Sequence, residues 1–128
     1  MRHRIVFVDD DIESLPIYEA AGDRPDSLIM LQTGSLSALK SLSSLKYEVD
    51  AIVADLAMPD MDGITFTEQV RRQENIKGLP KRIEIFWFTG YPITETLLEA
   101  QAKFDVREIF QKPVDPVELI DKVKTYLS

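Results

Sequence analysis

The sequence predicts an α/β domain in which five parallel strands, in the order 2-1-3-4-5, make one doubly wound sheet with helices on both faces. Three observations lead there. Short apolar runs rich in β-forming residues alternate five times with segments of helical spacing, a (βα)5 pattern. A length of 128 residues with a 45% hydrophobic fraction suits one ordinary core, so residues 1–128 are read as a single domain. Right-handed crossovers then leave few arrangements, and the chosen order places a switch point between strands 1 and 3, where acidic residues follow both runs.

Strand 1 is IVFV at 5–8, followed by a helix over Ile12–Ala21. Gly22 and Pro25 in AAGDRPDS break that helix and mark an ordinary connection. Strand 2 is LIML at 28–31, with a second helix over Leu36–Leu45. Strand 3 is AIVA at 51–54; in the following DLAMPDMDG, Pro59 and Gly63 impose a loop and Asp62 can cap a third helix over Ile64–Arg72. Strand 4 is IEIFWF at 83–88 and precedes a helix over Thr94–Lys103. Strand 5 is VREIF at 106–110, and the last helix, Pro116–Leu127, is expected to bury a stripe of Val117, Ile120, Val123 and Leu127.

Composition narrows the function classes. The 22 acidic and 15 basic residues leave a net charge of -7, which disfavours nonspecific attraction to nucleic acid or anionic lipid. Arg71, Arg72, Lys77, Lys81 and Arg82 cluster around a loop and read as a solvated face. The absence of cysteine excludes disulfides, thiolate metal sites and thiol nucleophiles. No stretch has the roughly 18–20 apolar residues of a membrane span, and the start turns acidic too early for a signal peptide, so a cytoplasmic protein without membrane contact is expected.

Four polar signals stand at the ends of apolar runs: Asp9 with Asp10, then Asp55, Thr89, and Lys112 with Pro113. On parallel strands they meet at one edge of the sheet. Asp9, Asp10 and Asp11 could simply cap the first helix. Asp55, ending a strand directly, is poorly explained by turn chemistry. Three carboxylates brought together repel unless a cation offsets them, and a hard divalent ion such as Mg2+ suits oxygen ligands with room left for water and a phosphoryl oxygen. With Asp55 as nucleophile, attack on phosphorus would give an acyl phosphate, the Thr89 hydroxyl donating to one phosphoryl oxygen and the Lys112 ammonium neutralising another. Trp87 reads as core, and His3, the single histidine, lies away from the aspartates.

The set FVDDD, DLAMPDMDG, FTG and QKP resembles the response-regulator receiver domain of two-component signal transduction, over essentially the whole chain. The resemblance implies the flavodoxin-like fold. It implies a phosphoprotein that receives a phosphoryl group on Asp55 from a histidine kinase or histidine phosphotransfer protein and catalyses only its own phosphorylation and dephosphorylation. Asp10 would ligate Mg2+ directly, Asp9 mainly through water, and Asp55 with the Ala57 carbonyl would complete the protein ligands. The Lys112–Pro113 bond is expected to be cis. Phosphorylation would switch a surface of helix 4, strand 5 and helix 5, open to a downstream protein or a second copy, without direct nucleic-acid binding. Ala57, two after Asp55, and Tyr91, two after Thr89, are expected to tune the lifetime of the acyl phosphate, and Ile109 stands where the family usually has an aromatic. Phe110 should face the other way and belong to the core; the signal is then expected to be read out elsewhere, for example by the loop after strand 4.

Two other readings fit parts of the pattern. Asp9 and Asp11 form the DxD pair of a haloacid-dehalogenase-like phosphatase, but Glu13 replaces its usual follow-up residue and Asp55 would be idle. A receiver-like interaction module that never uses phosphate would leave the complete residue set unexplained.

Overall fold

Each apolar run becomes a strand: β1 (His3–Val8), β2 (Ser27–Gln32), β3 (Ala51–Asp55), β4 (Glu84–Thr89) and β5 (Val106–Gln111). The helices are α1 (Leu15–Gly22), α2 (Ser35–Ser44), α3 (Gly63–Lys77), α4 (Glu95–Lys103) and α5 (Pro116–Thr125). The computed structural model describes residues 2–22, 24–44, 49–78 and 82–127; Leu45, the expected end of the second helix, Lys81 and residues 1 and 128 lie outside these. All strand pairs are parallel and the order is β2-β1-β3-β4-β5, as expected.

Alternation along the strands divides the core in two. Ile5, Phe7, Val53, Phe86, Phe88 and Phe110 join residues of α1 and α5 on one face. Val6, Val8, Ile52, Ala54, Ile85 and Trp87 join Phe66 and Val70 of α3, Ala38 of α2 and Leu97 of α4 on the other. Every residue of β3 is buried, which holds the end of that strand rigidly.

Helix boundaries depart from expectation for local reasons. α1 begins at Leu15 rather than Ile12. Proline is tolerated only in a first turn, so a helix starting at Ile12 would drive the Pro16 ring against the Ile12 carbonyl. The preceding residues form a turn instead, in which the Asp11 carboxylate accepts from the Glu13 N–H at 3.0 Å and the Ser14 hydroxyl at 2.7 Å. α3 runs past Arg72 to Lys77, since no breaker intervenes before Gly78, whose φ of 60° and N–H bond to the Glu74 carbonyl end the helix. Asp62 caps its start, accepting from the Thr65 N–H at 2.8 Å. In α5 the buried face consists of Leu119, Ile120, Val123 and Leu127, whereas Val117 is 38% exposed, a correction to the expected stripe. At 100° per residue Val117 falls well to one side of the arc those four share.

The basic cluster needs a second correction. Arg71 is buried, not solvated. Its guanidinium donates to the carbonyls of Phe104 (2.9 Å), Ile83 (2.7 Å) and Asp105 (3.0 Å) and to the Glu74 carboxylate at 2.8 Å. Glu74 in turn accepts from the Ile83 N–H at 2.6 Å. One ion pair thus ties the end of α3 to the start of β4 and the α4–β5 turn, where Asp105 has a φ of 54°.

Candidate functional site

The sheet gathers the four signals at the carboxyl ends of β1, β3, β4 and β5. Asp9 and Asp10 follow β1, Asp55 is the last residue of β3, Thr89 the last of β4, and Lys112 follows β5. Adjacent strands fix the spacing, with Asp55 beside Phe88 and Thr89 beside Gln111.

Asp55 sits at the centre. Its Oδ2 receives the Lys112 ammonium at 3.2 Å, and its Oδ1 accepts from the Ala57 N–H at 3.2 Å. The ammonium also lies 4.6 Å from the Phe88 ring centroid, which supports the lysine stem's approach along the sheet edge. The Lys112 N–H donates to the Thr89 carbonyl at 2.7 Å, and the Lys112–Pro113 bond is cis. Thr89 is 1% exposed; its Oγ accepts from the Tyr91 N–H at 3.1 Å, so its own proton is free to be donated.

Asp9, Asp10 and Asp55 offer carboxylate oxygens that all lie within 4.8 Å of one another. Asp9 is 1% exposed, its Oδ1 accepts from the Asp11 N–H at 3.0 Å, and its buried Oδ2 has no protein partner. Burial, reinforced by the charge of Asp55 and opposed by the Asp11 N–H and Lys112, pushes the Asp9 carboxyl up to about 6. Burial and the charges of Asp9, Asp55 and Asp11 likewise push the nearby Tyr18 phenol up to about 12. An orphaned buried carboxylate oxygen beside two further carboxylates fits a hard divalent cation: the donors are all oxygen, and a positive charge would relieve both burial and repulsion. Asp11 stands apart, committed to its turn, so no Asp9–Asp11 pair forms.

The tuning and switch positions fall as follows. Ala57 and Tyr91 each touch the site through the backbone, while Tyr91 is 67% exposed and its carbonyl accepts from the Gln111 side chain at 3.2 Å. Ile109 is partly buried opposite Trp87, in the α2–α3–α4 half of the core. Phe110 points to the other half, 6.2 Å from Phe86, as alternation requires.

Sequence reasoning missed one buried chain beside the site. The Trp87 indole N–H donates to the Thr67 Oγ at 2.8 Å, and that hydroxyl donates to the Gly63 carbonyl at 2.7 Å. Gly63 opens α3 against Asp55, where an added Cβ would stand 2.5 Å from the Asp55 carbonyl oxygen. A threonine inside an amphipathic helix carries no sequence signal of such a bond.

Residues 5–124 match the response regulator receiver domain family. An uncharacterized 14.6 kDa protein from Leptolyngbya boryana is 30% identical over 123 residues, covering 95% of this chain and 88% of the relative. The hybrid signal transduction histidine kinase L of Dictyostelium discoideum is 28% identical over 96% of this chain, which spans 7% of that kinase. Among solved structures, the chemotaxis response regulator CheY4 of Vibrio cholerae superposes with a TM-score of 0.81 at 21% identity, covering 100% of both chains. A CheY-like receiver domain from Methanospirillum hungatei gives 0.80 at 20% identity, over 99% of this chain and 94% of the other.

Proposed function

We propose that this chain, which belongs to the response regulator receiver domain family of two-component signalling, accepts a phosphoryl group on Asp55 and thereby switches a protein-binding surface. The observation that supports this most directly is the Asp55 carboxylate held between the Lys112 ammonium and two further carboxylates, one of which has an orphaned buried oxygen. A bound cation and an incoming phosphoryl group would together make use of all these groups.

Asp9, Asp10, Asp55 and the Ala57 carbonyl would hold Mg2+. When bound, that ion supplies positive charge against the carboxylates and the phosphoryl oxygens. The chain's own residues do the rest. An Asp55 carboxylate oxygen forms a bond to phosphorus as the donor's P–N bond breaks, the electron pair leaving on the donor imidazole, which then takes up a proton. Lys112 neutralises charge on the phosphoryl group, and the free proton of the Thr89 hydroxyl is available to one of its oxygens. A histidine kinase or phosphotransfer protein is the natural donor, in keeping with the kinases to which the chain is similar. Ala57 and Tyr91, whose N–H groups already bond Asp55 and Thr89, would set the lifetime of the acyl phosphate.

The surface of α4, β5 and α5 is proposed as the face that responds, for a downstream partner or a second copy. With Ile109 packed opposite Trp87, the response would pass through the Thr89–Tyr91 loop rather than through a rotating ring on β5. The chain is accordingly a signalling phosphoacceptor acting on itself, not an enzyme turning over a separate substrate.

Incubation with phosphoramidate and Mg2+, followed by peptide mapping, tests the reading. One adduct on Asp55, absent in Asp55→Asn, is expected. An adduct elsewhere, or none, overturns it.

A further inference from the structure

The loop of residues 56–62 carries the Ala57 carbonyl, and a reciprocal pair of side-chain hydrogen bonds with the start of α2 fastens it. Ser35 is the first helical residue of α2, one past the capping position held by Gly34, whose carbonyl accepts from the Ala38 N–H at 3.0 Å, so its hydroxyl is not placed to cap the helix. Its hydroxyl instead donates to the Met61 carbonyl of the loop at 2.6 Å and lies 3.4 Å from the Met58 sulfur. Gly34 has no side chain to cap α2, and Asp60 serves from the loop: its Oδ2 accepts from the Leu36 N–H of α2 at 3.1 Å while Oδ1 accepts from the Met61 N–H at 2.9 Å. Gly34 leaves the room this requires, since an added Cβ there would stand 2.9 Å from Asp60 Oδ2. Burial pushes the Asp60 carboxyl up, yet the N–H groups of Leu36, Met61 and Ser35 hold it below its ordinary value. Each element thus satisfies a backbone group of the other.

We propose that Asp60 and Ser35 are positioning residues for the phosphoacceptor pocket: by locking the β3–α3 loop to the first turn of α2, they hold the Ala57 carbonyl at a fixed distance from the Asp55 carboxylate. This rests on the reading of Asp55 given above. A backbone carbonyl on a loop is a useful metal ligand only if outer contacts hold it near its working position, and loss of such contacts weakens metal binding.

Mg2+ affinity measured by calorimetry, phosphorylation by phosphoramidate across a Mg2+ series, and melting in EDTA separate this role from a merely structural one. Asp60→Ala and Ser35→Ala are expected to bind Mg2+ about tenfold more weakly and to regain the wild-type phosphorylation rate at saturating Mg2+. Asp60→Asn, which keeps an acceptor for the Leu36 N–H, should stay within about threefold of wild type. Unchanged Mg2+ affinity in both alanine variants overturns the inference, even if their melting temperatures fall. Should Asp60→Ala fail to fold, Ser35→Ala decides, since it removes a single hydroxyl. A wild-type protein that binds Mg2+ but takes no phosphoryl group overturns the function proposed above, while the affinity comparison still judges the positioning role of Asp60 and Ser35.

Discussion

At the scale of single residues, the site is assembled against the stability of the fold. Asp9 is the clearest case. Its carboxyl titrates near 3.8 when unfolded and at about 6 in the folded chain, so between those values the folded state holds more protons than the unfolded one. Stability of the metal-free protein therefore falls as pH rises through that window. At 1.36 kcal/mol per pH unit, the cost at neutral pH is roughly 3 kcal/mol. Asp9→Asn is expected to raise stability in EDTA at pH 7 by up to about that amount and to flatten its dependence on pH between about 4 and 6. Urea denaturation across pH checks this, and a destabilised variant at pH 7 would refute it. The candidate site residues were readable because each ends or directly follows an apolar run. Ser35, Asp60 and Thr67 were not, because their partners lie far away in the chain and a serine, an aspartate or a threonine on a helix or loop is unremarkable by itself.

At the scale of elements, joints matter more than lengths. Strand positions were legible from β-forming runs buried on both faces, and the order of the sheet from the alternation of strands and helices. Helix starts and surface arcs were less so: Pro16 delays α1, and Val117 lies off the buried arc of α5. The Arg71–Glu74 joint was invisible, since a charged pair on an amphipathic helix looks solvated until the fold covers it. Arg71→Met would leave the Glu74 charge buried and three carbonyls short of a donor. A loss of about 3–5 kcal/mol is expected, measured by chemical denaturation; a loss below about 1 kcal/mol, the scale of an exposed pair, would show that the pair is not the joint described. The seat of α3 is equally exacting. Gly63→Ala would set a methyl 2.5 Å from the Asp55 carbonyl and 2.9 Å from Leu56 Cα, both backbone atoms that cannot rotate away. The expected cost is about 1–3 kcal/mol, together with weaker Mg2+ binding; a fully stable variant with normal binding would mean that α3 can shift freely.

At the scale of the whole molecule, the candidate site is concentrated at one edge of the sheet, and the rest of the fold holds that edge still. Because the acidic pocket exists only in the folded chain, Mg2+ should stabilise the protein by mass action, by about 2.7 kcal/mol at one hundred times the dissociation constant. A melting temperature several degrees higher at millimolar Mg2+ is expected, with little of the gain left in Asp9→Asn. No shift in the wild type would show that the three carboxylates do not act together. Among the described residues no helix is long and apolar enough to cross a membrane. The chain has a single tryptophan, fully buried and hydrogen-bonded through Thr67 to the glycine that seats α3 against Asp55. Its fluorescence therefore arises from one dry environment beside the strand that ends in Asp55. Without any label, the colour of that emission registers whether α3 stays seated when the pocket fills.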